Sequence, residues 1–218
     1  MLKKIIAQLK HGMQPVVPDV TKFDDPMASK VSWNPAKRGG ASFKTHILVD
    51  KGSGRIEFKS SIVAKVFYMI FCLAGLGIIV YYALDLFAGW SELDADIIVA
   101  IVGLIFFVVG LSLLIWSSRP IVFDKGRGYY WKGRKVPNHT IEYTQPDLFV
   151  HLNEIHALQI LSEYVRHDKS SFYSYELNLV LKDGQRKNVV DHGNLKVLRQ
   201  DAQTLSQFLN VSLWDGAL

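Results

Sequence analysis

A chain of 218 residues has room for one ordinary globular domain and little besides. Its apolar share of 49% is ordinary in total but crowds between residues 62 and 118, and the single cysteine, Cys72, excludes an intrachain disulfide framework. The pI near 9.2 would suit a nucleic-acid partner, but the basic residues flank the apolar segments rather than forming one stripe, which argues against that class.

Leu2, Ile5, Ile6, Leu9 and Met13 recur at helical spacing, so residues 1–13 predict a short amphipathic helix, to lie on a membrane surface or on the protein itself. Lys10 interrupts the apolar run, and no cleavable signal peptide is expected there. Pro15, Pro18, Pro26 and Pro35 exclude a long helix before Gly40. That segment reads as irregular, with Trp33 and Phe43 docked elsewhere. Thr45–Asp50 and Arg55–Phe58 flank a Lys-Gly-Ser-Gly turn and predict a β-hairpin.

Val66–Leu84 and Ile97–Ser118 contain no charged residue. At about 1.5 Å per helical residue each spans about 28–33 Å, the thickness of a bilayer's hydrocarbon core. The pair predicts a transmembrane helical hairpin, with Lys65 snorkelling at one end and Trp90 anchored at the other interface. Ala74, Gly75 and Gly77 in the first span, and Gly103 and Gly110 sharing a face of the second, offer small surfaces for close packing, and Gly75, Gly103 and Gly110 are expected to mark the helix–helix contact.

Eleven Lys and Arg precede residue 62, none lies in the connection Asp85–Asp96, and six lie in residues 119–135. This asymmetry predicts that both termini are cytoplasmic, in an inner (plasma) membrane. The chain then divides into an N-terminal cytoplasmic segment (1–61), the helical hairpin (62–118) and a cytoplasmic domain (119–218).

Beyond Arg119 the period changes to that of strands. Ile121–Phe123 and Tyr129–Lys132 flank a turn, and Leu152 with Ile155–Leu161 supplies a further strand. Tyr173–Leu181 alternates and turns at Lys182-Asp183-Gly184 into Arg186–Val190. Asn194 is an N-cap, Leu195, Leu198, Ala202, Leu205, Phe208 and Leu209 form an apolar stripe, and Asn210 suits a left-handed stop. The fold class is a membrane helical hairpin plus an α+β domain, an antiparallel meander or barrel capped by a C-terminal helix.

The Ile121–Lys132 hairpin with its central Phe123-Asp124-Lys125, the Leu152-Asn153-Glu154-Ile155 step, the Leu177–Val190 hairpin and the ending Phe208-Leu209-Asn210-Val211 carry a resemblance. The chain from about residue 60 onward resembles bacterial two-span membrane proteins with a pleckstrin-homology-like domain. It is more distantly similar to the photosystem I assembly protein family, from which the N-terminal extension departs. The resemblance implies a fold more than an activity.

Seven histidines, among them His46, His151, His156, His167 and His192, show no HxxxH spacing, and no CxxC accompanies them, so no metal or cofactor is expected. No nucleophile elbow, carboxylate pair or phosphate loop occurs, and the spans hold no Asp, Glu or His for a proton path. The expectation is a non-enzymatic protein that meets membrane lipids and a protein partner at the cytoplasmic face, as adaptor, assembly factor or regulator of a membrane complex. Lys125, Arg127, Lys132, Arg134 and Lys135 surround Tyr129–Trp131 and read either as determinants of topology or as a lipid-headgroup site. An anionic-lipid sensor is thus one alternative. An immunity protein contacting a membrane-acting toxin through the acidic connection is another. Oligomeric state and partner identity have no signature in the sequence.

Overall fold

The computed structural model describes residues 18–89, 93–137, 149–166 and 170–217. The expected helix over residues 1–13 and the Trp90 anchor lie outside them. The first described elements are short, as four prolines dictate: a 3-10 turn, Val20–Phe23, and α1, Pro26–Lys30. Each is started by an aspartate that accepts a backbone N–H, Asp19 from Thr21 and Asp25 from Met27.

Five strands follow as an antiparallel meander in the order β1-β2-β3-β4-β5: β1 His46–Asp50, β2 Arg55–Ser60, β3 Ile121–Asp124, β4 Tyr129–Lys132 and β5 Phe149–His151. The predicted hairpin is β1–β2, turned through Gly52, Ser53 and Gly54, all at positive φ. β2 also pairs with β3, Phe58 opposite Ile121 and Arg55 opposite Asp124. The division at residues 61 and 118 therefore cuts through a single sheet.

Between those neighbours the chain makes α2, Ile62–Ala88, and α3, Leu93–Ser117. Both are long and apolar enough to cross a membrane, with mean hydropathy 2.3 over α2 and 3.1 over Ile97–Ser117. They run further into the acidic connection than the charge-free windows suggest, because nothing breaks the helix before Gly89, whose φ of 70° caps it. Packed helices lie about 8–10 Å apart and adjacent strands about 4.8 Å apart. A closed helical pair thus returns the chain close enough to rejoin the same sheet, as a turn would. The base is tied: Ser61 N–H donates to Thr45 O at 2.8 Å, and Ser60 Oγ donates to Ser117 O.

The second sheet has the order β8-β7-β6-β9, with β6 Ile155–Arg166, β7 Ser171–Leu181, β8 Arg186–His192 and β9 Ser212–Asp215. The β7–β8 hairpin and its Lys-Asp-Gly turn follow the sequence reading. β9 runs parallel to β6, Ala157 opposite Ser212. Its four residues carry no periodicity, so only the sheet defines it. α4, Leu195–Leu209, is capped as read: Val197 N–H donates to Asn194 Oδ1 at 3.1 Å, and Asn210 sits at φ 57°. Leu198, Ala202 and Leu205 are fully buried against Leu158, Ile160, Leu177 and Leu179 of one sheet and Ile56, Phe58 and Phe123 of the other.

The expected barrel does not close. The described strands stay in two sheets, and no ladder among them joins the two. Closure requires continuous pairing around the ring. Instead a 3-10 turn, Leu152–Glu154, carries the chain from β5 into β6. At the other edge β1 pairs with β2 alone among the described strands.

The outer face of the second sheet is covered by a strap, residues 18–41. Ala28, Val31 and Trp33 pack on Ala157, Val180 and Trp214. The strap's backbone amides end on buried or half-buried carboxylates: Ala36 and Lys37 N–H donate to Glu176, Gly39 and Gly40 N–H to Glu163. Trp33 and Phe43 do dock, on Trp214 and on Phe67 of α2.

Candidate membrane-proximal surface

Lys125 and Arg127 lie in the β3–β4 turn, whereas Lys132 closes β4 opposite Ile121, beside the exit of α3. A four-residue hairpin arm separates the two groups by about 13 Å. Lys125 Nζ sits 4.7 Å from the Phe208 ring centroid, and Arg127 Nε lies 3.7 Å from Asp124 Oδ2. These two are occupied with the domain's own far end. Gly133 N–H donates to Pro120 O at 2.8 Å, which fixes the start of the exposed run Arg134-Lys135 beside the helix base. The structure thus keeps Lys132, Arg134 and Lys135 together and sets Lys125 and Arg127 apart from them.

Three further cations join at the base. Lys44 is held there because its carbonyl accepts from Ser61 Oγ. Lys65 follows one turn into α2, its N–H donating to Ser61 O. Arg119 places its guanidinium 5.6 Å from the ring centroid of Trp116, which is 69% exposed in the last turn of α3. For Lys65 and Arg119 nearness to the spans is a usable sequence signal. For Lys44 it is not, since β1–β2 pairing brings it in.

Above these cations lies a polar layer. Burial drives His46 down to about 4, with Lys132 and then His192 adding positive charge nearby, so the ring is neutral at pH 7. His192 is likewise lowered by burial, and its Nδ1 accepts Asn194 N–H at 2.9 Å. Crowding by protein pulls Lys132 down to about 8; Asp191 opposes this and Lys37 reinforces it. Lys132 still reaches water, which tempers the effect, and it stays mostly charged at neutral pH. Burial raises Asp191, against a hydrogen bond from Asn188 Nδ2 at 2.9 Å. Glu176, 2% exposed, accepts from Asn178 and Asn188 as well as from the strap, so its oxygens are fully used.

The helices meet through backbone. A Cβ at Gly75 would stand 2.3 Å from Phe107 N, one at Gly103 2.7 Å from Ile78 Cγ2, and one at Gly110 2.5 Å from Cys72 N. At Gly77 a Cβ would meet nothing within 4 Å, so that glycine is outside the contact.

Nearly all exposed large hydrophobic side chains belong to α2 and α3. Among the described residues the exceptions are Tyr164 and Tyr173, 51% and 52% exposed, paired across β6–β7 with ring centroids 5.2 Å apart. A shallow recess of about 320 Å³ between β5 and the β7–β8 turn is lined by Phe149, Val150, Glu154 and Leu181 among others. No group of three His, Cys, Asp or Glu side chains among the described residues could hold a metal ion. No family model, curated protein or solved structure matches the chain.

Proposed function

We propose that this is a non-enzymatic, two-span membrane protein that presents a pleckstrin-homology-like domain to a protein partner at the cytoplasmic face of the inner membrane. There it would act as adaptor, assembly factor or regulator of a membrane complex. The observation that carries the reading is the Tyr164–Tyr173 pair, two half-exposed aromatic side chains in contact across β6–β7, where the other exposed large hydrophobic side chains of the described residues lie on α2 and α3. Paired, preordered aromatics are the kind of anchor that dominates protein interfaces. The mounting supports the same reading. Inserted between two neighbouring strands and pinned by Ser60 and Ser61, the helices would hold the domain at a fixed attitude to the bilayer.

Affinity purification of the full-length protein from mild detergent tests this. A stoichiometric protein partner should co-purify with the wild type and fall at least about tenfold with Tyr164→Ala/Tyr173→Ala, a loss of the size expected for a hot spot. Reproducible absence of any partner would sink the adaptor reading, and an unaffected partner would remove the tyrosines from it.

The cytoplasmic placement rests on seventeen Lys and Arg in residues 1–61 and 119–135 against none in the connection. A cytoplasm-active reporter fused to the C-terminus should give signal, and one inserted near Ser91 should not. The reverse pattern would place the domain on the other side.

A further inference from the structure

We propose that the end of the domain from which α2 and α3 leave is a docking surface for anionic phospholipid headgroups, formed by Lys44, Lys65, Arg119, Lys132, Arg134 and Lys135. The inference deepens the membrane-anchored reading above and rests on α2 and α3 crossing a bilayer.

Three observations carry it. The six residues come from four separate stretches of chain and are gathered only by the fold: β1–β2 pairing brings Lys44 to Ser61, and the Gly133–Pro120 hydrogen bond turns Arg134 and Lys135 to the same end. Among the described residues none of the six makes an ion pair within 4 Å. Cations elsewhere do, Arg55 with Glu57 at 2.7 Å, Lys59 with Glu57 at 3.3 Å and Arg199 with Asp215 at 2.6 Å. Of the acidic groups near the cluster, Glu176 is engaged by backbone and amide donors and Asp191 by Asn188, while Asp201 of α4 keeps a buried, unpaired Oδ2 within electrostatic reach of Lys44.

The third observation sets the height. Trp116, exposed at the end of a charge-free helix and carrying Arg119 over its ring, stands where an interfacial tryptophan stands, between hydrocarbon and headgroups. The cations lie at that level or just beyond it. Phosphodiester headgroups of the leaflet are therefore the anions within reach, in preference to a soluble phosphate. The collar acts with the two helices to keep the domain seated on the leaflet, leaving Tyr164 and Tyr173 at a constant attitude.

The alternative, that these charges only direct insertion, separates cleanly, because insertion history has no bearing on lipid selectivity in a purified system. The full-length protein is reconstituted into phosphatidylcholine vesicles with a trace of spin-labelled phosphatidylglycerol or spin-labelled phosphatidylcholine. The motionally restricted fraction of each label is read by electron paramagnetic resonance. One juxtamembrane charge in contact corresponds to about fivefold enrichment, so phosphatidylglycerol should be favoured at least about fivefold at low salt. The preference should approach parity near 1 M salt, where the screening length falls to about 3 Å.

The variant Arg119→Gln/Lys132→Gln/Arg134→Gln/Lys135→Gln should lose the preference, and Lys125→Gln/Arg127→Gln at the far end should keep it. The salt titration on the wild type stands whether or not the fourfold variant folds. Equal partition of the two labels, a salt-independent preference, or equal loss in the far-end variant would overturn the collar. An alkaline carbonate wash is run in parallel: retained protein with equal partition overturns the collar alone, and released protein overturns the membrane-crossing reading and the collar with it.

Discussion

Truncating Trp33 to alanine should destabilise the domain by about 3–5 kcal/mol, the range for removing a large buried aromatic. Trp33 is 7% exposed, stacks on Phe23 with centroids 5.3 Å apart and planes 6° from parallel, and lies 6.4 Å from Trp214. Its Nε1–H donates to Ala28 O at 2.9 Å. The backbone of Gly216 packs against the same ring, so close that a Cβ there would stand 2.5 Å from Trp33 Cζ3. Removing the indole therefore opens a cavity between the strap and β9 and leaves an acceptor unpaired. Thermal unfolding in detergent, followed by near-ultraviolet circular dichroism, should shift down by about 10 °C or more. Trypsin should also gain access to Lys22, Lys30, Lys37 and Arg38, which lie in the strap. Trp33→Phe keeps most of the stacking area and should lose much less. A melting curve for Trp33→Ala within about 2 °C of the wild type, with unchanged proteolysis, would mean that the strap is held by its carboxylate contacts to Glu163 and Glu176 instead.

The second large effect is expected in the helical pair, and it comes with an internal control. Gly75→Leu places side chain where Phe107 N and Gly103 O already lie, at 2.3 and 2.6 Å from the first added atom. Backbone cannot swing aside as a flexible side chain can, so the helices must separate or rotate. The cost should reach the upper part of the overpacking range, about 3 kcal/mol or more. Gly77→Leu, two residues on, adds the same side chain into open space and should be close to neutral. Both are judged by the fraction that stays folded through a graded sodium dodecyl sulfate titration in mixed micelles. Equal behaviour of the two variants would remove the α2–α3 contact as described. Because the same helices bridge β2 and β3, Gly75→Leu should also loosen the sheet. Hydrogen exchange at Ile56 and Phe58 should therefore rise with it.

Some of this protein was decided residue by residue. Two charge-free runs of membrane length need no tertiary partner to be helical, since an apolar environment forces the backbone to satisfy itself. The β7–β8 hairpin is written in strict alternation and a Lys-Asp-Gly turn whose Gly184 sits at φ 84°. α4 carries its own start and stop in Asn194 and Asn210, and its stripe is the buried face. Close helix approach demands small residues, but helical spacing alone offered Gly77 beside Gly75, and only the packing shows that Gly75, Gly103 and Gly110 stand where the helices come closest.

The rest was a matter of which distant segments meet, and local pattern is silent on that. Nothing between Ser60 and Ile121 states that β2 and β3 are neighbours. Their pairing follows because an antiparallel helix pair brings its two ends together and both strands turn apolar faces to one core. β9 is four residues with no period, made a strand by the open edge of β6 beside it. Trp33 looks like a stray aromatic in a proline-rich stretch until Trp214 arrives from the far end of the chain. The basic run 125–135 is continuous in sequence, yet a β-hairpin sends its turn and its ends in opposite directions. Lys125 and Arg127 therefore finish at one end of the sheet, and Lys132, Arg134 and Lys135 at the other, beside Lys44, Lys65 and Arg119. Charge can be counted in a sequence, but where it collects depends on strand direction and register, and those were fixed by burial of side chains far from the charges themselves.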